Sequence, residues 1–512
     1  MTLCKDSLEW AVDFVKRHSD GDLFPRVVEC RAIDDELQYF IDCVEGKPLS
    51  TFPHGANRRF IVPKDDISYR QATQLHPQDS ILLSAAIHQF GQGIEDRRLA
   101  KDIVYSYRFS PSESNGLYSS KNSWNKFWST ARQRSLQAQS IAYCDIADFY
   151  NQVYHHSVEN QLIASNLPNQ AIKWLISLLE STTAGVSRGV PVGPHGAHLL
   201  AEASLIPIDN SMLSSGLEFI RYADDILVFC DSERSARKAV GTIAAILDKQ
   251  QRLMLQRHKT KILEADRFRD LCDSMIQDRP ISDDEEQVLQ VIQKYSRDPY
   301  ATIYYNSISE EDWKTITEDI ISNIILDYIN SDPVDYIRLR WFYRRLTQIG
   351  HPGAIDVSLK ELDSLGPCFA DICTYLASVQ TIESAYWLSI GERLIALLDT
   401  EEVELNEYFR LSILSLFSRN SEINHFNNLA ARFQKSDAFA RREVLLAAHA
   451  SGAIDWLREH KESFEQMDPW QKMAFIYCAS EFPRDEKKYF LNRLSFQRPF
   501  EQTLVRWAKK RI

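Results

Sequence analysis

Glycine and proline are scarce, at 17 and 18 residues in a chain of 512. That excludes collagen-like, fibrous and low-complexity classes. No apolar run approaches the roughly 18 residues needed to span a bilayer. The longest, near Ile81–Ile87 and Ala239–Leu247, read as core segments. The opening MTLCKDSLEWAVDF has acids where a secretory leader would have a basic flank and an apolar stretch. The expectation is a cytoplasmic protein with no membrane association. The nine cysteines are scattered, odd in number and without a Cys-x-x-Cys pair. Neither a disulfide framework nor a structural zinc site is expected; most of the cysteines read as small core residues in a reducing compartment.

What is present is ordinary for a globular protein: 44% hydrophobic and 25% charged residues. At roughly 150 residues per domain the length allows two to four domains. The net charge of −12 argues against coating long nucleic acid by bulk electrostatics. Its distribution is uneven. Residues 1–270 carry 31 Lys and Arg against 33 Asp and Glu, whereas residues 271–512 carry 28 against 38. Residues 51–140 hold 12 basic and 7 acidic side chains, a locally positive stretch suited to a small anionic substrate.

Up to about residue 270 the pattern is α+β. Strands are expected at Arg59–Val62, Ser140–Cys144, Leu217–Tyr222 and Ile226–Cys230, with helices at Gln78–Phe90, His198–Leu213 and Glu233–Gln250. From about residue 290 only helix signals recur. Asp332-Pro333 reads as a helix start closed by Gly350 and Pro352, Ser436-Asp437 as one closed by Gly452, and Asp468-Pro469 as one ended by Pro483. Short capped helices joined by short turns suggest a HEAT-type α-solenoid, with an irregular helical bundle as the alternative. The acidic stretch Asp278–Glu286 reads as a solvated linker.

Four segments carry chemistry. FIRYADDILVF (219–229) sets Asp224 and Asp225 between two apolar strand-like runs, at a tight hairpin. Paired acids at a sheet edge suit a hard divalent cation, although an ordinary Asp-Asp turn has the same sequence. IAYCDIADFYNQVYHHSV (141–158) ends a strand at Asp145, with Asp148 one turn later. RGVPVGPHGAHLLAE (188–202) runs glycines and prolines straight into a helix, where backbone can approach a ligand. LMLQRHKTKIL (253–263) clusters Arg257, His258, Lys259 and Lys261.

In this order and spacing, IAYCDIADF, the PVG-containing loop, YADD and the basic cluster resemble motifs A to D of reverse transcriptases. FIVPKDDISYRQATQLHPQDSILLSAAI (60–87) resembles their fingers. The resemblance covers roughly residues 55–265. It implies that Asp145 and Asp224 share catalytic metal ions, magnesium or manganese, with Asp225 the adjacent acid. It implies that Lys64 and Arg70 hold a triphosphate and that Lys259 protonates the pyrophosphate leaving group. Tyr150 would be the steric gate against a ribose 2′-hydroxyl, and Gly193 would belong to the nucleotide-binding loop. The plainer readings are a solvated basic face for Lys64 and Arg70, a surface lysine for Lys259 and a core aromatic for Tyr150. His155, His156 and His258 lack the partners and spacing of metal ligands and read as structural.

Two departures matter. Pro191-Val192-Gly193 stands where most reverse transcriptases have Pro-Gln-Gly, and no basic helical thumb follows Lys261. Both speak against templated copying. With DIADFYNQVYHHS, GVPVGPHGAHLLAE and RYADD, they make the chain similar to the bacterial abortive-infection polymerases of the AbiK-like, prophage-borne kind. That resemblance implies an α+β reverse-transcriptase-like fingers and palm (1–275) followed by an all-α HEAT-like helical-repeat domain (290–512). It also implies template-independent, protein-primed DNA synthesis from deoxynucleoside triphosphates in anti-phage defence. The single-stranded DNA product would be covalently attached, and the protein a homo-oligomer. A templated reverse transcriptase, or a non-catalytic palm carrying a helical interaction scaffold, are the alternatives; the intact acids speak against the latter.

Lys121, Trp124, Lys126, Phe127, Trp128, Arg132 and Arg134 suit single-stranded nucleic acid, while Trp124, Phe127 and Trp128 also have the spacing of a helix core stripe. Tyr39 is a candidate priming residue, being the one tyrosine before the fingers strand. In the helical half, Arg338, Arg340, Arg344 and Arg345 are expected to line a channel over the active site. Tyr304, Tyr305, Trp341, Tyr343 and Trp470 would be its stacking platforms, unless all of these only pack helix on helix.

Overall fold

The computed structural model describes residues 2–18, 23–65, 67–112, 116–119, 124–276, 280–296, 302–379 and 382–511. Its centre is a four-stranded antiparallel sheet in the order β6-β7-β5-β8. Here β5 is Ser140–Asp145, β6 Phe219–Tyr222, β7 Asp225–Cys230 and β8 Lys261–Glu264. The register opposes Ser140 to Cys230 and runs to Asp145 opposite Asp225. Strand alternation sorts the side chains. Ala142, Cys144, Ile226 and Val228 face the main core. Ile141, Leu227 and Phe229 face a second core, closed by Phe127 and Trp128 of the helix Trp124–Ser135 and by Phe268 of Ala265–Ile276.

Ahead of the sheet lies a hairpin, β1 (Arg58–Pro63) against β2 (Tyr69–Gln74), then the long helix Pro77–Glu95. A two-stranded ribbon follows: β3 (Phe109–Ser112) and β4 (Gly116–Tyr118). After β8 no strand occurs among the described residues. Helices starting at Tyr336, Phe369, Glu407, Ala438, Pro469 and Pro499 each pack on the next. No helix is long and apolar enough to cross a membrane among the described residues.

The helical part wraps the hairpin. Phe60, Val62 and Ala72 of β1 and β2 pack with Phe24 on Tyr408 and Leu411. The buried guanidinium of Arg58 lies against the rings of Phe439 and Trp470, at 4.7 and 4.8 Å. Arg442 donates to both oxygens of the fully buried Glu29 at 2.8 Å. Trp470 Nε1 donates to the Ala56 carbonyl at 2.7 Å, and Gln78 Oε1 accepts from Phe500 N at 3.1 Å.

Three expectations are corrected. Asp332-Pro333 is a cis bond that precedes the helix; the cap is Asp335, whose side chain accepts from Arg338 N. The stretch expected as a solvated linker is in part a helix start: Ser282 caps Asp283–Tyr295, and four acids fill the first turn, where they suit the exposed N–H groups. Its Glu285 is fully buried and accepts from Tyr328 Oη. Residues 278 and 279 of that stretch lie outside the described residues, as does Lys121. Third, Tyr343 and Trp470 are buried packing residues, and Arg345 is buried against Gln348. Those three serve helix packing.

Candidate active site

The acids meet because β5 ends where β7 begins. Asp145 and Asp225 are directly opposed, and Asp224 sits in the turn, its carbonyl accepting from Ile146 N at 3.1 Å. Ala223 takes φ +50°, a left-handed residue that makes the reversal tight. Burial, then repulsion from Asp145, raises Asp224. Burial, then Asp224, pushes Asp225 up to about 7. Two hydrogen bonds steady the cluster: Lys259 Nζ donates to Asp145 Oδ2 at 2.7 Å, and Tyr143 Oη to Asp225 Oδ1 at 2.8 Å. Lys259 is held above the usual lysine range by the three acids, whose pull outweighs its burial.

Among the described residues no three His, Cys, Asp or Glu side chains form a ready ion-holding group. The donor set nevertheless fits a hard divalent cation: it is all carboxylate oxygen, and its mutual repulsion is what a bound cation would relieve.

Lys64, at the tip of the β1–β2 hairpin, faces the same cluster. Burial, then the neighbouring Lys259 and Arg70, lowers it, with Asp224 and Asp145 opposing. Arg70 lies one register step in from the tip, opposite Val62, and is lowered by burial and by Arg340. Arg340 comes from the helix Tyr336–Ile349, where its Nη2 donates to the Lys64 carbonyl at 2.9 Å. Arg344 pairs with Asp371 at 3.3 Å, and Arg340 Nε lies 4.0 Å from the same carboxylate.

Gly193 has φ +127°, a region that favours glycine. The preceding Val192 carbonyl accepts from Thr73 N at 2.8 Å, tying this loop to β2. Tyr150 packs on the core and is hydrogen-bonded to His198 Nδ1 at 2.7 Å; both it and Tyr107 feel the charge of Asp224. Asp148 stands away from the acids, accepting from Asn151 and Gln152. His155 is buried against the Gly189 carbonyl and so structural, as expected. Phe127 and Trp128 are core; Arg132 pairs with Asp273. Tyr39 lies beneath Arg506 of the last helix, 4.5 Å from its ring centroid.

The sequence reading missed the network under the acids. Arg221 is fully buried, donates to Asp209 through Nε and Nη2 at 2.7 Å, and reaches Glu202 Oε2 at 2.9 Å. Its Nη1 holds the Ala223 carbonyl at 2.9 Å, inside the acidic turn itself. Arg98 completes the set, 2.7 Å from Glu202. Paired and hydrogen-bonded, these buried charges position the turn; unpaired, each would be costly. A charged residue inside each of two apolar runs, FIRY and HLLAEASL, was the available signal.

Residues 62–291 match the family model described as reverse transcriptase (RNA-dependent DNA polymerase). The chain carries a reverse transcriptase domain. Lys64, Arg70, Asp145, Tyr150, Gly193, Asp224, Asp225 and Lys259 all fall inside it. Such a domain implies nucleotidyl transfer of the polymerase kind, and reverse transcriptase domains generally use divalent metal ions such as Mg2+. Among solved structures, apo telomerase from Candida Tropicalis is similar at 10% identity, with 81% of this chain and 73% of that chain covered and a TM-score of 0.34. Telomerase from Candida albicans with a TWJ fragment of telomeric RNA is similar at 11% identity, with 74% and 70% covered and a TM-score of 0.32. No curated protein matches.

Burial pushes His198 of the domain down to about 3 and His351 of the helical part down to about 4. Unfolded, both take up a proton below about pH 6.5. For these two groups the unfolded state binds more protons, so their contribution to stability is lost as pH drops from about 6.5 towards 4, while Asp225, raised to about 7, acts in the opposite sense. Melts at pH 7 and pH 5 are expected to differ by a few degrees, and by less in His198→Asn. An equal difference in both proteins refutes this assignment.

Proposed function

We propose that this protein is a metal-dependent DNA polymerase of the reverse-transcriptase superfamily, template-independent and protein-primed, acting in abortive infection against phage. The carrying observation is the opposition of Asp145 and Asp225 across β5 and β7, with Asp224 in the turn and Lys259 and Lys64 alongside. Val192 in place of a glutamine and the absence of a basic thumb in the sequence after Lys261 favour synthesis without a template. The stacked C-terminal helices are read as a HEAT-like domain. DNA attached to the protein as product, homo-oligomerisation and a cytoplasmic location rest on the family resemblance alone.

The residue roles follow from chemistry. A divalent cation held by Asp145, Asp224 and Asp225 would ease the approach of an attacking hydroxyl oxygen to the triphosphate. Lys64 supplies a point charge and Arg70 a planar fork for phosphate oxygens. Lys259, kept protonated by its acids, can donate to the pyrophosphate leaving oxygen. Tyr150 crowds the sugar 2′ position. Tyr150→Ala is expected to raise ribonucleotide use relative to deoxynucleotide by about a hundredfold, the scale at which a pocket rejects one extra hydroxyl. Unchanged sugar discrimination would return Tyr150 to the core.

The test incubates purified protein with magnesium and labelled deoxynucleotides, without nucleic acid. Label on the protein band supports this reading. Labelling only with added template supports the second reading, a templated RNA-dependent DNA polymerase, which the matched family description favours. No labelling under either condition leaves a non-catalytic scaffold.

A further inference from the structure

The side chains behind Tyr150 carry an inference that rests on the polymerase reading and deepens it. The Tyr150 hydroxyl and His198 Nδ1 are 2.7 Å apart. His198 stands in the first turn of the helix His195–Ser214. Its ring lies flat on Tyr107, with centroids 4.1 Å apart and planes within 4°. Tyr107 has φ +43°, a conformation that non-glycine residues adopt only when their surroundings enforce it. Its carbonyl accepts from Arg98 Nη1 at 2.8 Å, and Tyr118 lies edge-on to its ring at 5.3 Å. Tyr118 Oη donates to the His195 carbonyl at 2.5 Å and accepts from Leu199 N at 3.1 Å, spanning the turn that bears His198. Three side chains from three segments thus fix the far end of one tyrosine.

A ring on two single bonds can swing unless its far end is held. A steric gate works only if it cannot swing. We propose that His198, braced by its stack on Tyr107, is a specificity-determining positioning residue: it fixes the Tyr150 ring and so sets discrimination between deoxyribose and ribose in the incoming nucleotide. His198 touches Tyr150 and not the substrate. Kept neutral by burial, it has one ring nitrogen protonated and the other free to accept, so the contact persists across the neutral pH range.

The test measures kcat/KM for each deoxynucleotide and its ribonucleotide in the full-length protein. The ratio is the readout, because a general loss of activity cancels in it. His198→Phe keeps a ring on Tyr107 but loses the hydrogen bond; the ratio is expected to fall about fivefold, the worth of one such bond. His198→Asn, whose amide reaches the Nδ1 position, is expected to restore most of it. An unchanged ratio in His198→Phe overturns the proposal. If that variant does not fold, Tyr150→Phe removes this bond together with the hydroxyl's bond to Tyr107 and must lower the ratio at least as much; an unchanged ratio there overturns it too. Wild-type protein that incorporates no nucleotide, with or without template, refutes the polymerase reading and the proposal with it. Wild-type incorporation with an insensitive ratio refutes the proposal alone.

Discussion

Replacing Asp224 by Ala is expected to cut nucleotide incorporation by at least about a thousandfold, since a cation site that loses a ligand loses several kcal/mol of charge stabilisation. The melting temperature should stay level or rise. Asp224 is a buried acid raised by its own burial and by Asp145, so the folded protein gains nothing from its charge. What the turn needs from this residue is its carbonyl, which accepts from Ile146 N and survives the substitution. Asp145→Ala should behave alike in activity, with the added loss of the Lys259 pair, whose lysine is half-exposed and whose aspartate is buried. Incorporation assays and thermal melts on the same preparations check both halves. Retained polymerisation in Asp224→Ala ends the assignment of this site.

A chain cut after residue 275 is expected to be insoluble or inactive. The cut exposes Phe24, Phe60, Val62 and Ala72, which form a core with Tyr408 and Leu411, and it strips Arg58 of Phe439 and Trp470. At about 1.5–3 kcal/mol per buried large apolar side chain, the loss matches the whole stability of a typical domain. It also removes Arg442, which donates to both Glu29 oxygens. Arg442→Ala isolates that last effect in the full-length chain. Breaking a buried pair by removing one partner costs about 3–5 kcal/mol, and both Glu29 oxygens depend on Arg442. Circular dichroism melts of Arg442→Ala and activity of the 1–275 fragment decide. A folded, fully active fragment would show that the helical half merely hangs from the polymerase.

The readable parts of the chain were those with local causes. β5 and β7 are short apolar runs buried on both faces, and their ends place the three acids. Asp437, Asp468 and Gly350 cap helices as the sequence suggests. β8 was hidden because Lys261-Ile-Leu-Glu264 is short and read as a basic cluster. β2 was hidden because Tyr69–Gln74 is polar; burial comes from partners far along the chain. The acidic stretch misled because acids in a first helical turn and acids in a linker look alike until Ser282 is seen to cap. At the site, the acids, Lys64 and Lys259 were legible from motif order. His198, Tyr107 and Arg221 were not, since each acts through a neighbour many residues away. Arg340 is the extreme case, bonding a carbonyl 276 residues back.

That bond bears on how turnover is timed. The hairpin carrying Lys64 and Arg70 is anchored at its tip by Arg340, along its inner face by Tyr408, and at Thr73 by the loop before Gly193. A segment fixed at three points does not travel as a lid that opens for each substrate and shuts over it. On the proposed reading, the cations that would face phosphate are in place before a nucleotide arrives, their ordering settled once, when the chain folds. The slow event in each cycle would then be the departure of pyrophosphate or the advance of the growing strand, and nucleotide capture would resemble docking into a rigid socket.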